Sequence, residues 1–436
     1  MMNKMVSTLM ALGLMYFNLH GQTLTQHAFI ETAGIVTDVE MGQENVVYFT
    51  ELTLSNILLH SVDISDPQNP VILDTYSRTG FSADFEINGD IAYLMVADEN
   101  PGGIQIVDIS DPNTLQGSTF VPSGERGGSF FQNGFLYVTG GGVIAYAPSQ
   151  NPDTLTLQWF FPTPAGNGSD DVIEIFADND YVYFNAFQRG FFIVDKLNQQ
   201  LVGALTGADL GFGLTVNGGY AYLTNSTEGL ISVDITDPQQ PVALDTLAGY
   251  DLGIGGGVFS AGNVLYFADA VNGLRVINIA DPANLAEVSA FAPDSIGALR
   301  VTGRDSLLFL ASGDINESSA VKNGLYIIKT DIPTAISENP VELPQQFTLH
   351  QNFPNPFNPS TTIDFDIEKS ATIELKVYNL AGQLVRELVN RVLPAGRHSV
   401  TWDGRDQNGN LTGSGFYFYR LKSGQAFKTR RMLLLK

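Results

Sequence analysis

A short phrase returns along the chain at nearly constant spacing. Its clear copies are Val62-Asp63-Ile64-Ser65-Asp66-Pro67, Val107-Asp108-Ile109-Ser110-Asp111-Pro112, Val233-Asp234-Ile235-Thr236-Asp237-Pro238 and Ile277-Asn278-Ile279-Ala280-Asp281-Pro282. Weaker copies stand at Ala145-Tyr146-Ala147-Pro148, Ile193-Val194-Asp195-Lys196 and Ile327-Ile328-Lys329-Thr330. Upstream of each copy an alternating run ends near an aromatic: Tyr48, Tyr93, Tyr137, Tyr183, Tyr222, Tyr266 and Phe309, spaced by 45, 44, 46, 39, 44 and 43 residues. A Gly precedes most of the phrases (Gly103, Gly142, Gly190, Gly229, Gly273, Gly324), and Leu58 stands in that place in the first.

Each unit translates into four short strands. In the second unit they run from Ala83 to Ile87, through the turn Asn88-Gly89-Asp90, to Ile91–Val96, then Gly103 to Ile109, then a strand beyond the Ser-Asp-Pro turn. Asn-Gly at 88–89, 133–134 and 217–218 signals tight hairpins. In Asp-Pro the carboxylate caps the backbone while Pro fixes the next φ. Helical periodicity is absent. Four strands per ~40–45 residues is the period of a propeller blade. The expected fold is therefore all-β: a seven-bladed β-propeller over residues 22–330, with six or eight blades as the other counts the spacing admits. The seventh unit has no fourth strand of its own before Asp331-Ile332-Pro333. Gln26-His27-Ala28-Phe29-Ile30 reads like Val288-Ser289-Ala290-Phe291-Ala292, the fourth strand of unit six. Residues 24–31 are therefore expected to pair with 324–330 and close the ring, removing an exposed edge.

The phrase as it stands from Gly229 to Pro238 resembles the LVIVD-repeat β-propellers. That resemblance implies a fold and a secreted setting rather than a reaction. The recurring Asp63, Asp108, Asp195 and Asp234 read as turn caps, since a unique active site does not recur in every blade.

Residues 1–21 read as a signal peptide, with Lys4 before an apolar run from Met5 to Phe17 that is too short to span a bilayer. No later segment reaches ~18 uninterrupted apolar residues, so no transmembrane helix is expected. Charge then divides the chain. Residues 22–340 hold 38 Asp and Glu against 9 Lys and Arg, whereas residues 341–436 hold 8 against 12. Such a reversal near the prolines 333, 340 and 344 marks 331–346 as a linker and 347–436 as a second domain.

That second domain opens with Asn352-Phe353-Pro354-Asn355-Pro356-Phe357-Asn358-Pro359 and ends in Thr429-Arg430-Arg431-Met432-Leu433-Leu434-Leu435-Lys436. Between them lie Leu375 to Val385, Val400-Thr401-Trp402-Asp403-Gly404 and Gly415 to Leu421. These segments look like the type A C-terminal sorting domain of the type IX (Por) secretion system, an Ig-like sandwich. The resemblance implies export to the surface of a Gram-negative bacterium, or release, with the secretion machinery as partner. It assigns the signal to Asn355, Pro356, Phe357, Asn358, Pro359, Trp402, Arg430 and Lys436. Asp403, Asp406 and Asn408 superficially resemble a calcium loop, but Leu411 stands where a Gly is obligatory, so a hairpin turn is expected there.

The net charge of −24 argues against nucleic acid, which needs a basic footprint. The absence of Cys excludes thiol nucleophiles and Cys-ligated metal sites. His27 and His60 are the only His of the propeller, so a His-rich metal site and a Ser-His-Asp triad are not expected, and no catalytic residues are assigned. The alternative is a carboxylate-based hydrolase or lyase acting on polysaccharide. A binding or scaffold module fits better, with a protein, cation or glycan ligand at the loop face. The candidate residues there are Asp98, Glu99, Asp170, Asp171, Asp251, Asp314 and Glu317, with Asp38, Asp84 and Glu174 placed to face a central channel. Trp159 is the only propeller Trp for stacking on a sugar. No cofactor is expected, and calcium is the one metal left open.

Overall fold

The computed structural model describes residues 23–331 and 347–435, apart from short stretches at 82–83, 98–101, 124–126, 141, 149–153, 163–171, 187–188, 207–209, 226–228, 251–255, 271, 294–295, 314–320, 353–354, 356, 368–370, 380–381, 394–395, 408 and 425. The signal region, the linker from 332 onward, Asp98, Glu99, Asp170, Asp171, Asp251, Asp314, Glu317, Pro356 and Lys436 lie outside the described residues.

The described structure is all β. Between residues 24 and 330 it contains four-stranded antiparallel sheets of the kind that make propeller blades, seven of them among the described residues. Six are consecutive meanders. Their first strands are Ile35–Met41, Phe85–Asn88, Ser129–Gln132, Val172–Ala177, Leu210–Asn217 and Val258–Ala261. The seventh begins with Ala298–Arg304, continues through Leu307–Ser312 and Gly324–Thr330, and takes its fourth strand from Leu24–Glu31. This pairing is antiparallel, with Phe29 opposite Tyr326 and Glu31 opposite Gly324. The expected closing strand is where the sequence placed it. The first strands pack each against the next, and that of the seventh sheet packs against that of the first.

Physical reasons for the repeated residues are visible. The aromatic markers Tyr48, Tyr93, Tyr137, Tyr183, Tyr222, Tyr266 and Phe309 are all at most 3% exposed, filling the space between neighbouring sheets. Each recurring Gly opens a third strand where the fourth strand's backbone comes close. A Cβ on Gly103 would lie 2.4 Å from the Val121 carbonyl oxygen, and one on Gly190 would lie 2.1 Å from that of Leu205. At Gly324 the obstructing oxygen belongs to Ile30, 2.2 Å away, so the closing strand imposes the same demand as the others.

The repeated Asp residues are turn caps. Asp63 Oδ1 accepts from Ser65 N–H at 2.8 Å, Asp108 Oδ1 from Ser110 N–H at 2.9 Å and Asp234 Oδ1 from Thr236 N–H at 2.9 Å. The Asp of the following Asp-Pro caps a second turn, as Asp111 does for Asn113 N–H at 2.9 Å. These turns also join sheets. Asp74 Oδ2 accepts from Leu115 N–H of the next sheet at 2.7 Å, and Asp245 repeats the contact with Leu285 at 2.7 Å.

The C-terminal domain pairs a three-stranded sheet with a four-stranded one. Its core gathers Phe365, Trp402, Tyr419, Leu421 and Met432. The opening motif binds the last strand, Ala426–Leu434. Asn355 Oδ1 accepts from Leu433 N–H at 2.9 Å, and Phe357 exchanges 3.0 Å backbone bonds with Leu433 and Leu435. Phe357 packs on Trp402 at 5.6 Å between ring centres, and Arg430 Nε donates to Leu349 O at 2.6 Å. Asn358 and Pro359 continue the same segment as a bend. At the pseudo-calcium loop, Asp406 Oδ1 accepts from Asn410 N–H at 2.8 Å and Arg405 bridges to Leu411, which is a hairpin turn.

Candidate functional site

Pairing registers align the first strands. Glu40 and Glu86 stand opposite the marker aromatics Tyr48 and Tyr93, and Phe176, Thr215 and Thr302 occupy the same position opposite Tyr183, Tyr222 and Phe309. Two residues earlier the equivalent positions hold Asp38, Asp84, Gly128, Glu174, Gly213, Gly257 and Arg300. Side chains two apart on a strand share a face. The inner ends of these sheets therefore gather five carboxylates, from the first, second and fourth sheets, and one guanidinium, from the seventh.

Arg300 is the hub. Its Nη1 lies 2.7 Å from Glu174 Oε2, with the two side chains 20% and 12% exposed. The fourth and seventh sheets are three apart in the cycle, the greatest separation that seven sheets allow, so this ion pair crosses the central space. Burial works against the charge of Arg300, but Glu174, Asp84 and Asp38 outweigh it and hold the guanidinium firmly protonated. Its stem lies on Gly257, where a Cβ would come 2.8 Å from Arg300 Cδ. Glycine at 257 is thus what admits the arginine.

The carboxyls respond to confinement. Burial, then the neighbouring Asp84, push Glu40 up to about 8. Burial raises Glu174 to about 7 despite Arg300. Asp38 and Glu86 are also raised, first by burial and then by the other carboxylates around them. These groups take up protons in the range where free carboxylates have none.

Of the three channel residues expected from the sequence, all gather here, but with different tasks. Asp38 and Asp84 are 5% and 7% exposed, and each holds the next sheet. Asp38 Oδ2 accepts from Phe85 N–H at 3.2 Å, while Asp84 Oδ2 accepts from the N–H of Ser129 and from its hydroxyl at 3.2 Å. Glu174 has no such stitch and faces Arg300. Glu40, Glu86 and Arg300 were missed by sequence reasoning. The two glutamates had a signal, since each lies two residues beyond a chosen Asp on the same strand face. Among the described residues no group of three or more His, Asp or Glu is arranged to hold a metal ion.

A second polar assembly lies in the first sheet. His60 Nε2 is 2.8 Å from Glu51 Oε2, and His60 Nδ1 is 2.9 Å from the hydroxyl of Thr75. The order Thr-His-Glu matches that of a general-base relay. However, the imidazole is stacked at 4.6 Å on Phe49, and Glu51 Oε1 accepts from Gly34 N–H at 2.6 Å. The chain thus ties the first sheet to the segment that enters it from the closing strand.

Comparison with known proteins agrees with the two-part division. Residues 80–117, 213–246 and 253–292 match the LVIVD repeat, and residues 357–426 match the FlgD Ig-like domain. The three repeat matches fall on the second, fifth and sixth sheets. No curated protein matches the chain. Among solved structures, the computationally designed Ika8 protein is similar at 10% identity, over 70% of this chain and 99% of that one, with a TM-score of 0.49.

Proposed function

We propose that the chain is a secreted or surface-held binding and scaffold module: a seven-bladed β-propeller closed by its own N-terminal strand, carried out of the cell by the type IX secretion system through its C-terminal sorting domain. Support for seven blades comes from the marker spacing together with the cyclic packing of the first strands. Support for the sorting role comes from the ordered motifs of residues 352–436, with Asn355, Phe357, Trp402 and Arg430 gathered around the last strand.

The observation that carries the binding role is the cluster of five acidic side chains on the first, second and fourth sheets, with Arg300 held by Glu174, Asp84 and Asp38. The protein keeps its own cation among acids that burial holds partly protonated. A cationic group of a partner protein, such as a lysine side chain, would draw those protons off and pair with the carboxylates it leaves. Calcium is the competing occupant. An enzymatic role is not part of this reading, because Asp38 and Asp84 spend their oxygens on backbone N–H groups of neighbouring sheets.

Isothermal titration of the mature chain with a lysine-rich peptide tests the proposal. Binding that weakens at least tenfold in Glu86→Gln is expected, with no binding of a neutral peptide of equal length. Equal binding of both peptides, or saturation by calcium alone, would overturn it. Export is tested separately by ending the chain near Thr330, which should leave it periplasmic; normal surface display would contradict the sorting role.

A further inference from the structure

The third and fourth repeats depart most from the recurring phrase, and the structure gives a reason. Where the clear copies carry Asp-Ile-Ser-Asp-Pro or a close variant, the fourth has Asp195-Lys196-Leu197-Asn198-Gln199. Leu197 packs against the core of the C-terminal domain. Arg391 of that domain donates through Nη1 to the Lys196 carbonyl. The sandwich thus docks on the flank of the third and fourth sheets.

The joint is not filled. A cavity of about 500 Å³ remains between the two domains, walled by Tyr137, Trp159 and Tyr181 on one side and by Arg391 and His398 on the other. Two cations reach it, with acids near them: Asp178 and Asp180 favour the charge of Lys196, and Asp195 favours that of Arg391. Lys196 Nζ donates to the Asp178 carbonyl and lies 4.8 Å from the centre of the Tyr137 ring. Arg391 Nε is buried and has no hydrogen-bond partner. Neither makes an ion pair among the described residues. Burial accordingly depresses both, Lys196 to about 7. Of the nearby acids, Asp178 accepts from the Tyr183 hydroxyl at 2.6 Å, Asp195 accepts from Asn198 N–H at 2.8 Å and Glu387 pairs with Lys376 at 2.9 Å, while Asp180 lines the cavity near Lys196.

Burial outweighs the pull of these acids on both cations, so a further anion placed between them at this wall would be favoured. The remaining lining narrows the class. Aromatic faces at Trp159 and Tyr181 beside the amides of Gln158, Asn179, Asn198 and Gln199 suit a ring with hydroxyl groups. We propose that this interdomain cleft binds a carboxylate-bearing sugar of the uronate class, its carboxylate placed between Lys196 and Arg391 and its ring on Trp159. The site is separate from the central carboxylates and stands or falls independently of them.

Calorimetric titration of the full chain with glucuronate, a uronate hexamer, glucose and acetate tests it. Glucuronate or the hexamer should bind, with Lys196→Gln and Arg391→Gln each weakening affinity at least tenfold and Trp159→Ala doing likewise. Binding of the hexamer alone identifies a polysaccharide source; binding of both admits the free sugar. Failure of both uronates to bind, or equal binding by glucose or acetate, overturns the proposal. Small-angle scattering of each variant separates loss of ligand from loss of docking. A variant that stays docked and keeps its uronate affinity also overturns it.

Discussion

Arg300 and Glu174 meet at 2.7 Å across the ring of sheets, joining strands of the fourth and seventh sheets that are distant in both sequence and ring order. Removing either partner strands the other among groups of its own kind or in low dielectric. Arg300→Gln should therefore destabilise the propeller by about 3 kcal/mol, as expected for breaking a buried pair. Adding Glu174→Gln should return part of that loss. Urea midpoints of the two single variants and the double variant measure the coupling; additive effects would contradict the pairing.

The raised carboxyls set a pH dependence with a definite sign. An unfolded chain ionises Glu near about 4.3, whereas folding holds Glu174 to about 7 and Glu40 to about 8. Between these limits the folded state keeps protons that the unfolded state has released, so stability falls as pH rises. The contribution is complete below about pH 4 and is lost as the pH climbs to about 8. Glu51 and Asp108 are shifted the other way, the first by His60 and Gly34 N–H against the pull of burial, the second by Ser110. Their stabilisation is lost only at lower pH, outside this window. The melting temperature should be higher at pH 6 than at pH 8.5, and Glu40→Gln should flatten the slope. A melting temperature that rises over this interval would be the opposite sign.

Closure by Leu24–Glu31 supplies the outer strand of the seventh sheet. Deleting residues 22–32 exposes the edge of Gly324–Thr330, and the shortened protein should melt sharply lower and associate. Sedimentation and calorimetry read the two effects. An unchanged melting temperature would show that the strand is dispensable.

Capping by Asp108 holds the Ser110 turn at 2.9 Å. Asp108→Ala should cost about 1 kcal/mol and leave peptide and sugar binding intact. Lost binding at full stability would give the repeated carboxylates a functional role instead.

Much of this architecture was legible because repetition averages out local ambiguity. A single Gly is a weak signal, but six at one period mark a common cause, the carbonyl of a fourth strand lying 2.1–2.4 Å from where a Cβ would be. Gly324 belongs to that set, and so the missing fourth strand could be sought at the N-terminus. The site was only half legible. Asp38, Asp84 and Glu174 stood out as acids at the start of first strands, yet Arg300 comes from the far side of the cycle, and only the closed ring brings it to Glu174. No local pattern records a contact across a ring. The docked C-terminal domain was hidden for a related reason: Lys196 and Leu197 read as decay of a repeat until Arg391 is seen against them.

The central reading is that the carboxylates form a cation receptor which Arg300 occupies in the free protein. Titrating a lysine-rich peptide into Arg300→Gln and into the unaltered chain, at a temperature where both are folded, tests it most directly. The peptide should bind the variant at least tenfold more tightly, because the internal competitor is gone and the carboxylates remain. Equal or weaker binding to the variant would contradict it.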